Sequence, residues 1–271
     1  MKTLFLSDLD GTLIGHDLAV PPDSAAGIHA AIARGDGFAA ATARTPATVS
    51  KILAPIRGML PAIVMNGAGI FDFEKGEYLC LRTLSLQKER EVRGILGHIG
   101  VNAFLYTVKG SHIDVYYREP ESMSQRMFRE VRTGSPYKTF VEGDAPDSAQ
   151  RLFFCAIESE ERTARMAEEL AALEGIRFYR YRDVHDPENW YVEIYDAAAS
   201  KAAGVRFLRE RYGFDRVVAF GDNLNDLPLF EAADEGYAVA NAVPALKEAA
   251  TGVLEEADTA AVGRFIGRYG G

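Results

Sequence analysis

The sequence has little of what builds soft-metal or disulfide sites: two cysteines and five histidines occur among 271 residues. Cys80 and Cys155 stand far apart with no CxxC spacing, which excludes a disulfide framework and a zinc cluster. Both lie in apolar runs and read as buried thiols. His16, His29, His98, His112 and His185 are scattered, and no pair has metal-ligand spacing. Positive charge is also short. With 30 Lys and Arg against 39 Asp and Glu the net charge is −9, and such a surface does not release counterions from a phosphate backbone, so no nucleic-acid partner is expected. No stretch approaches the roughly 18 uninterrupted apolar residues of a membrane span. Met1-Lys2-Thr3-Leu4 runs straight into a strand followed by acids, so the expectation is a cytoplasmic protein without membrane contact. GxGxxG and GxxxxGK[ST] are both missing, and Gly67-Ala68-Gly69 alone does not make a nucleotide site. No internal repeat and no low-complexity segment stands out.

What is present is a globular balance: 48% hydrophobic and 25% charged residues can bury a sizeable core. The length suits one large α/β domain or, as the better prior, a core carrying a smaller insertion. Residues 3–7 form a short apolar run that stops at Asp8-Leu9-Asp10-Gly11-Thr12, as a buried parallel strand ends in a loop. A helix is expected over 23–34, capped by Asp23 or Ser24 and ended by Gly35 to Gly37, then a strand over Phe38 to Ala41. Thr45-Pro46 opens another helix, and Ala62 to Met65 reads as the next strand of an alternating parallel core. From about residue 84 the pattern changes to a helix (86–98), two strands around Val108 to Ser111, a helix (119–132), a strand (152–157), a helix (160–173) and two strands (176–181 and 190–195). Adjacent paired strands imply an antiparallel sheet. After Ser200 the alternation resumes with a helix, the strand Arg216 to Phe220, a polar loop and a strand at Tyr237 to Val239. The reading is one α/β core, residues 1–82 and 196–271, split by an inserted domain of αββ units, residues 83–195.

Ligands of open parallel sheets bind beyond the carboxyl ends of the strands. There the sequence delivers Asp8 and Asp10, then Thr42 and Arg44, then Lys201 at a helix start, then Asp222, Asn223, Asn225 and Asp226. Carboxylates so crowded raise one another's pKa unless a cation lies between them. Oxygen ligands without His or Cys favour Mg²⁺, which binds through few carboxylates plus a substrate phosphate. Calcium in an EF-hand fails, because Leu224 and Leu227 occupy the third and sixth positions counted from Asp222. Lysine at a helix start opposes the helix dipole, which favours a functional reason for Lys201.

Asp8-Leu9-Asp10-Gly11-Thr12 resembles the first motif of the haloacid dehalogenase superfamily, and Gly221-Asp222-Asn223-Leu224-Asn225-Asp226 resembles its acidic fourth motif in the form common in the Cof-like branch. Thr42 and Lys201 fit the second and third motifs, and the insertion is similar to a type-two cap. The resemblance implies a Rossmann-like core with an α+β cap, and a Mg²⁺-dependent phosphatase acting on a small phosphorylated metabolite such as a sugar phosphate. It implies Asp8 as nucleophile and Asp10 as acid and base. Asp8, Asp10, Asp222 and Asp226 would form the metal site, and Thr42, Lys201 and Asn225 would hold the phosphoryl group. Arg44 and Asn66 would lie near the substrate. One departure is Thr42-Ala43-Arg44 where Cof-like members usually have Thr-Gly-Arg. The alternatives are a phosphomutase or phosphotransferase of the same fold, and a binding protein that has lost the chemistry. The alternating strand His112 to Arg118 offers a polar face (His112, Asp114, Tyr116, Arg118) that either reads a substrate or meets solvent. Oligomeric state has no sequence signal.

Overall fold

The computed structural model describes residues 1–119, 122–134, 137–183, 186 and 188–270. His185, and residues 120 and 121 of the helix expected over 119–132, lie outside the described residues. The chain divides into two compact units, Met1–Cys80 with Ser200–Gly271, and Leu81–Ala199. Its order begins β1 (Thr3–Ser7), α1 (Pro22–Ala33), β2 (Gly37–Ala40), α2 (Pro46–Leu53), β3 (Ala62–Val64), β4 (Gly69–Asp72) and β5 (Glu77–Leu81). The second unit then runs α3 (Leu86–Ile99), β6 (Phe104–Lys109), β7 (His112–Tyr117), α4 (Met123–Glu130), β8 (Lys138–Glu142), β9 (Gln150–Glu158), α5 (Glu160–Leu170), β10 (Ile176–Arg182) and β11 (Trp190–Asp196). The chain returns to the first unit as α6 (Lys201–Tyr212), β12 (Arg216–Gly221), α7 (Leu227–Glu231), β13 (Glu235–Ala238), α8 (Pro244–Glu248), β14 (Gly252–Val253) and α9 (Ala261–Arg268). No helix among the described residues is long and apolar enough to cross a membrane.

The first unit is built on a parallel sheet of order β14-β13-β12-β1-β2. β1 lies between β12 and β2, and Leu4, Phe5 and Leu6 are wholly buried, each contributing about 2 kcal/mol of hydrophobic stabilisation. That burial on both faces is why the run carries no polar alternation. The carboxyl ends of β1, β2 and β12 therefore open side by side. β3 meets the end of β2 in parallel, as expected, through the bridge Ala41 to Ile63, with Leu60 N–H donating to Phe38 O at 2.8 Å and Thr42 N–H to Ile63 O at 2.9 Å. On its other side it pairs antiparallel with β4 in the β3-β4-β5 sheet. The expected cap on α1 is corrected: Pro21 is the capping residue, with no side-chain bond, while Asp23 falls in the first turn and Ser24 is buried. Proline at the first helical position needs no donor there, so the helix starts one residue early. Of the two thiols, Cys155 is buried but Cys80 only partly so.

α1 and α9 meet through a seam of small residues. A Cβ on Gly27 would lie 1.9 Å from Gly263 O, and one on Gly263 would lie 2.0 Å from Ser24 Cα. Neither neighbour is a flexible side-chain end, so the backbones approach as closely as glycine permits.

The second unit has a six-stranded sheet of order β10-β11-β9-β6-β7-β8. It is antiparallel except for β7 and β8, which run parallel because α4 crosses between them. β4, β5, β8 and β14 were not legible as strands: each is short, and β5 and β8 are partly exposed and carry charges in place of a clean apolar pattern. One sheet face packs Leu105, Phe154, Val192 and Ile194 against Val92 and Leu96 of α3 and Met166 and Leu170 of α5. On the other face Tyr106, Phe153 and Tyr195 stack across three strands, with ring centroids 4.2 and 4.8 Å apart. The polar face of β7 lies on the α3 and α5 side, where Tyr116 packs against the cluster, His112 pairs with Thr139 at 2.9 Å and Arg118 with Asp144.

The seam sets a prediction. Gly263→Ala overpacks α1 against α9 and should cost about 1–3 kcal/mol, seen as a lower urea midpoint with an unchanged slope; an unchanged midpoint would refute the close packing.

Candidate active site

Asp8 extends the β1 ladder, its N–H donating to Phe220 O at 3.0 Å, while Ser7 Oγ donates to Asp8 O at 2.7 Å. Its carboxylate accordingly emerges at the end of the sheet. Lys201 arrives from α6, whose first turn is capped by Ser200 accepting from Ala203 N–H at 3.1 Å. The lysine is 0% exposed, and its Nζ donates to Asp8 Oδ1 and to Asp226 Oδ1, each at 2.6 Å. Burial alone would push this ammonium down, but Asp226 and Asp8 outweigh it and hold it above its ordinary value. A cation opposed to the helix dipole is thus kept by two buried carboxylates.

Asp226 is fixed on both oxygens: Oδ2 accepts the backbone N–H of Asp222 at 3.0 Å and of Asn223 at 3.2 Å. Gly221 lies so near that a Cβ there would be 2.7 Å from this carboxylate. The loop Gly221 to Asp226 is therefore wound around the Asp226 side chain, and that winding turns Asp222 toward Asp8. One carboxylate oxygen from each of Asp8, Asp222 and Asp226 lies within 4.8 Å of the others. Burial pushes Asp8 well above the carboxylate range against the pull of Lys201, with Asp226, Asp222 and Asp10 adding repulsion. Burial, with repulsion from Asp226, pushes Asp222 up to about 7.

This donor set fits Mg²⁺. The group is all oxygen, among the described residues Lys201 is its ion-pair partner, and Asp8 and Asp222 each keep an oxygen not engaged by Lys201 or Thr12. Gly11, at φ +71°, leaves room beside them, since a Cβ there would lie 2.6 Å from Asp222 Oδ2. Asp226, with both oxygens occupied, supports the loop.

Asp10 does not join the acidic group. Arg44 Nε donates to its Oδ2 at 2.7 Å and Arg44 Nη2 to its Oδ1 at 2.5 Å, a bidentate pair on the same side of the sheet. Thr42 is buried and accepts Arg44 N–H on Oγ1 at 3.1 Å, and Ala43 has no left-handed backbone, so the methyl in place of glycine is accommodated. Asn66, 1% exposed, accepts from Asn225 Nδ2 at 3.2 Å, and both Met65 and Asn66 have φ of 51°. Two consecutive non-glycine residues in that region are a strain that surrounding structure must hold; Met65 N–H donates to Arg44 O and Asn66 N–H to Thr42 O, each at 3.0 Å. Two contributors escaped sequence reasoning. Thr12, although inside the first motif, donates to Asp222 Oδ1 at 3.5 Å. Asn241 donates to Gly11 O at 2.7 Å and accepts from Ala257 N–H at 3.2 Å, and no local pattern marks it.

A sequence profile of the haloacid dehalogenase-like hydrolases matches residues 5–266. The pyridoxal phosphate phosphatase YbhA of Escherichia coli is 23% identical over 275 residues, covering 96% of this chain and 95% of its own. In structure the chain is similar to a haloacid dehalogenase superfamily phosphatase from Bacteroides thetaiotaomicron, with TM-score 0.79, 19% identity and coverage of 100% and 96% of the two chains. It is also similar to a subclass IIB sugar phosphatase of that superfamily, with TM-score 0.76, 21% identity and coverage of 100% and 99%.

Two outcomes follow from the site. Asp226→Ala strips Lys201 of a partner and two N–H groups of an acceptor, and should cost about 3–5 kcal/mol in chemical denaturation; a loss below about 1 kcal/mol would show that Asp226 is not the anchor. In EDTA, Asp222 holds its proton to about pH 7 when folded but releases it near 3.8 when unfolded. Stability of the metal-free protein should therefore fall as pH rises across that window, and Asp222→Asn should flatten the slope. A steeper slope in the variant would contradict this.

Proposed function

Because the chain belongs to the haloacid dehalogenase-like hydrolases, we propose that it is a Mg²⁺-dependent phosphatase of a small phosphorylated metabolite, working through an aspartyl phosphate on Asp8. The observation that carries the reading is Lys201 Nζ set at 2.6 Å from both Asp8 and Asp226, with Asp222 gathered beside them. Asp8 and Asp222 would hold the ion, which supplies charge neutralisation of the phosphoryl oxygens and of the carboxylates around it.

In the first step the Asp8 carboxylate oxygen not bonded to Lys201 attacks phosphorus, and the bond to the leaving oxygen breaks as that oxygen takes a proton from Asp10. In the second, Asp10 takes a proton from water, whose oxygen attacks the same phosphorus; phosphate leaves and the Asp8 carboxylate is restored. An ammonium has three donors, and Lys201 commits two, which leaves one for a phosphoryl oxygen. Thr42 and Asn225 add donors around that group. Asp10, with both oxygens accepting from Arg44, cannot also give up a proton, so the acid step requires that pair to open. Unit one carries the chemistry in this reading, and unit two selects the substrate. A sugar phosphate and pyridoxal phosphate are the first substrates to try, given what the similar proteins act on.

Phosphate release from sugar phosphates, pyridoxal phosphate and an aryl phosphate should require Mg²⁺, stop in EDTA and vanish in Asp8→Asn. Asp10→Asn should lower kcat by about 10²–10⁴-fold. Folded, Mg²⁺-loaded protein that releases nothing from any of these would sink the phosphatase reading and favour a mutase or a binding protein.

A further inference from the structure

β13 runs beside β12 in parallel, with Ala238 opposite Gly221, so the loop after β13, residues 239–243, leaves the sheet next to the loop that carries Asp222. Three bonds tie this loop to the acidic segments. Val239 N–H donates to Gly221 O at 3.3 Å, Val243 N–H donates to Asp222 O at 2.9 Å, and Asn241 Nδ2 donates to Gly11 O at 2.7 Å. Three others anchor the loop elsewhere. Ala240 N–H donates to Glu255 O at 3.3 Å, Asn241 Oδ1 accepts from Ala257 N–H at 3.2 Å, and Lys247 Nζ donates to Ala240 O at 2.5 Å. Asn241 is exposed, and a surface asparagine meets its hydrogen-bonding needs in water without being ordered. Here its amide nitrogen and oxygen are both committed to backbone groups, 230 and 16 residues away.

Gly11 is where that commitment acts. Its φ of +71° turns the chain directly after Asp10, and a Cβ there would lie 2.6 Å from Asp222 Oδ2. The next residue, Thr12, donates from Oγ1 to Asp222 Oδ1 at 3.5 Å. Both oxygens of Asp222 thus meet the segment Gly11-Thr12, and the carbonyl between those two residues is the acceptor for Asn241. A shift of that carbonyl moves the chain that follows Asp8 against Asp222, and with it the spacing of carboxylate oxygens that lie within 4.8 Å of one another. Mg²⁺ demands near-ideal octahedral ligation, whereas Ca²⁺ takes oxygens in flexible geometry, so a change in ligand spacing penalises the smaller ion more. Groups that orient metal ligands without touching the ion tune its affinity in this way.

We propose that Asn241 is a positioning residue for the metal site: by holding Gly11 O it sets the spacing of Asp8 and Asp222 and favours Mg²⁺ over Ca²⁺. The inference rests on the reading of Asp8 and Asp222 as the residues that hold the ion.

The test is isothermal titration calorimetry of the full chain, stripped with EDTA and dialysed, with Mg²⁺ and separately with Ca²⁺. Asn241→Ala should weaken Mg²⁺ binding by about 10–100-fold and Ca²⁺ binding by less than about threefold. Asn241→Asp keeps an acceptor for Ala257 N–H but has no donor for Gly11 O. Its added charge attracts both dications alike, so the ratio of Mg²⁺ to Ca²⁺ affinity should fall as it does in Asn241→Ala. Lys247→Met removes an anchor of the same loop without touching Gly11, and should change Mg²⁺ affinity by less than about threefold. A wild-type affinity ratio in both Asn241 variants, or a loss of Mg²⁺ binding in Lys247→Met equal to that in Asn241→Ala, would overturn the proposal. Wild type that takes up no Mg²⁺ would overturn the reading of the acids as a metal site and the positioning role with it, a failure distinguished by its appearance before any substitution is made.

Discussion

A lysine ammonium cut off from water is tolerated where carboxylates surround it, and Lys201 meets that condition by drawing two acids from separate segments to 2.6 Å. The constraint reaches outward from there. Asp8 needs the end of β1, Asp226 needs the loop after β12, and Lys201 needs the first turn of α6, so three connections of the parallel sheet are fixed by one cation. Asp226 then hands the constraint on through its other oxygen, which holds the backbone N–H groups of Asp222 and Asn223. The glycines at 11 and 221 follow from the same crowding, because a methyl at either would collide with a carboxylate of the group. Hydrophobic burial of β1 stabilises the sheet, but the lysine dictates which side chains stand at its mouth.

The acidic group is left with more negative charge than Lys201 can offset, and this is what equips it for chemistry. Burial and mutual repulsion raise Asp8 and Asp222, and a hard dication would relieve both at once. Arg44 treats Asp10 differently, drawing it into a bidentate pair apart from the acids. Two carboxylates only two residues apart are thereby given different hydrogen-bonding partners, as the proposed division of nucleophilic and proton-transfer work between them requires.

Much of this arrangement was legible in the sequence, because it depends on short-range patterns. An apolar run ending in Asp-Leu-Asp-Gly-Thr, a lysine placed against a helix dipole and an acidic loop after a later strand all carry their meaning locally. That β1, β2 and β12 run parallel follows from alternation. What depends on distant partners was not legible. The bond from Asn241 to Gly11 joins residues 230 apart. The left-handed backbone at Met65 and Asn66 is held by carbonyls of Thr42 and Arg44 rather than by anything in its own sequence. Strand alternation drew attention to the polar face of β7, whereas its neighbour β8 has too little apolar pattern to be recognised as a strand.

The position of β1 has a consequence for how the chain is made. Its partner on one side is β2, close in sequence, but on the other it is β12, with Thr3 opposite Arg216. At about 5–20 residues per second, the ribosome delivers that second partner on the order of ten seconds or more after the first strand has emerged. The intervening unit, whose sheet and helices all fall within Leu81–Ala199, is complete before then. Through that interval the nascent chain carries Leu4, Phe5 and Leu6 on a strand with an open edge, the kind of surface that chaperones bind and that pairs wrongly with other chains. The same interruption that inserts a second unit between the halves of the first makes the first unit the last to be completed by synthesis.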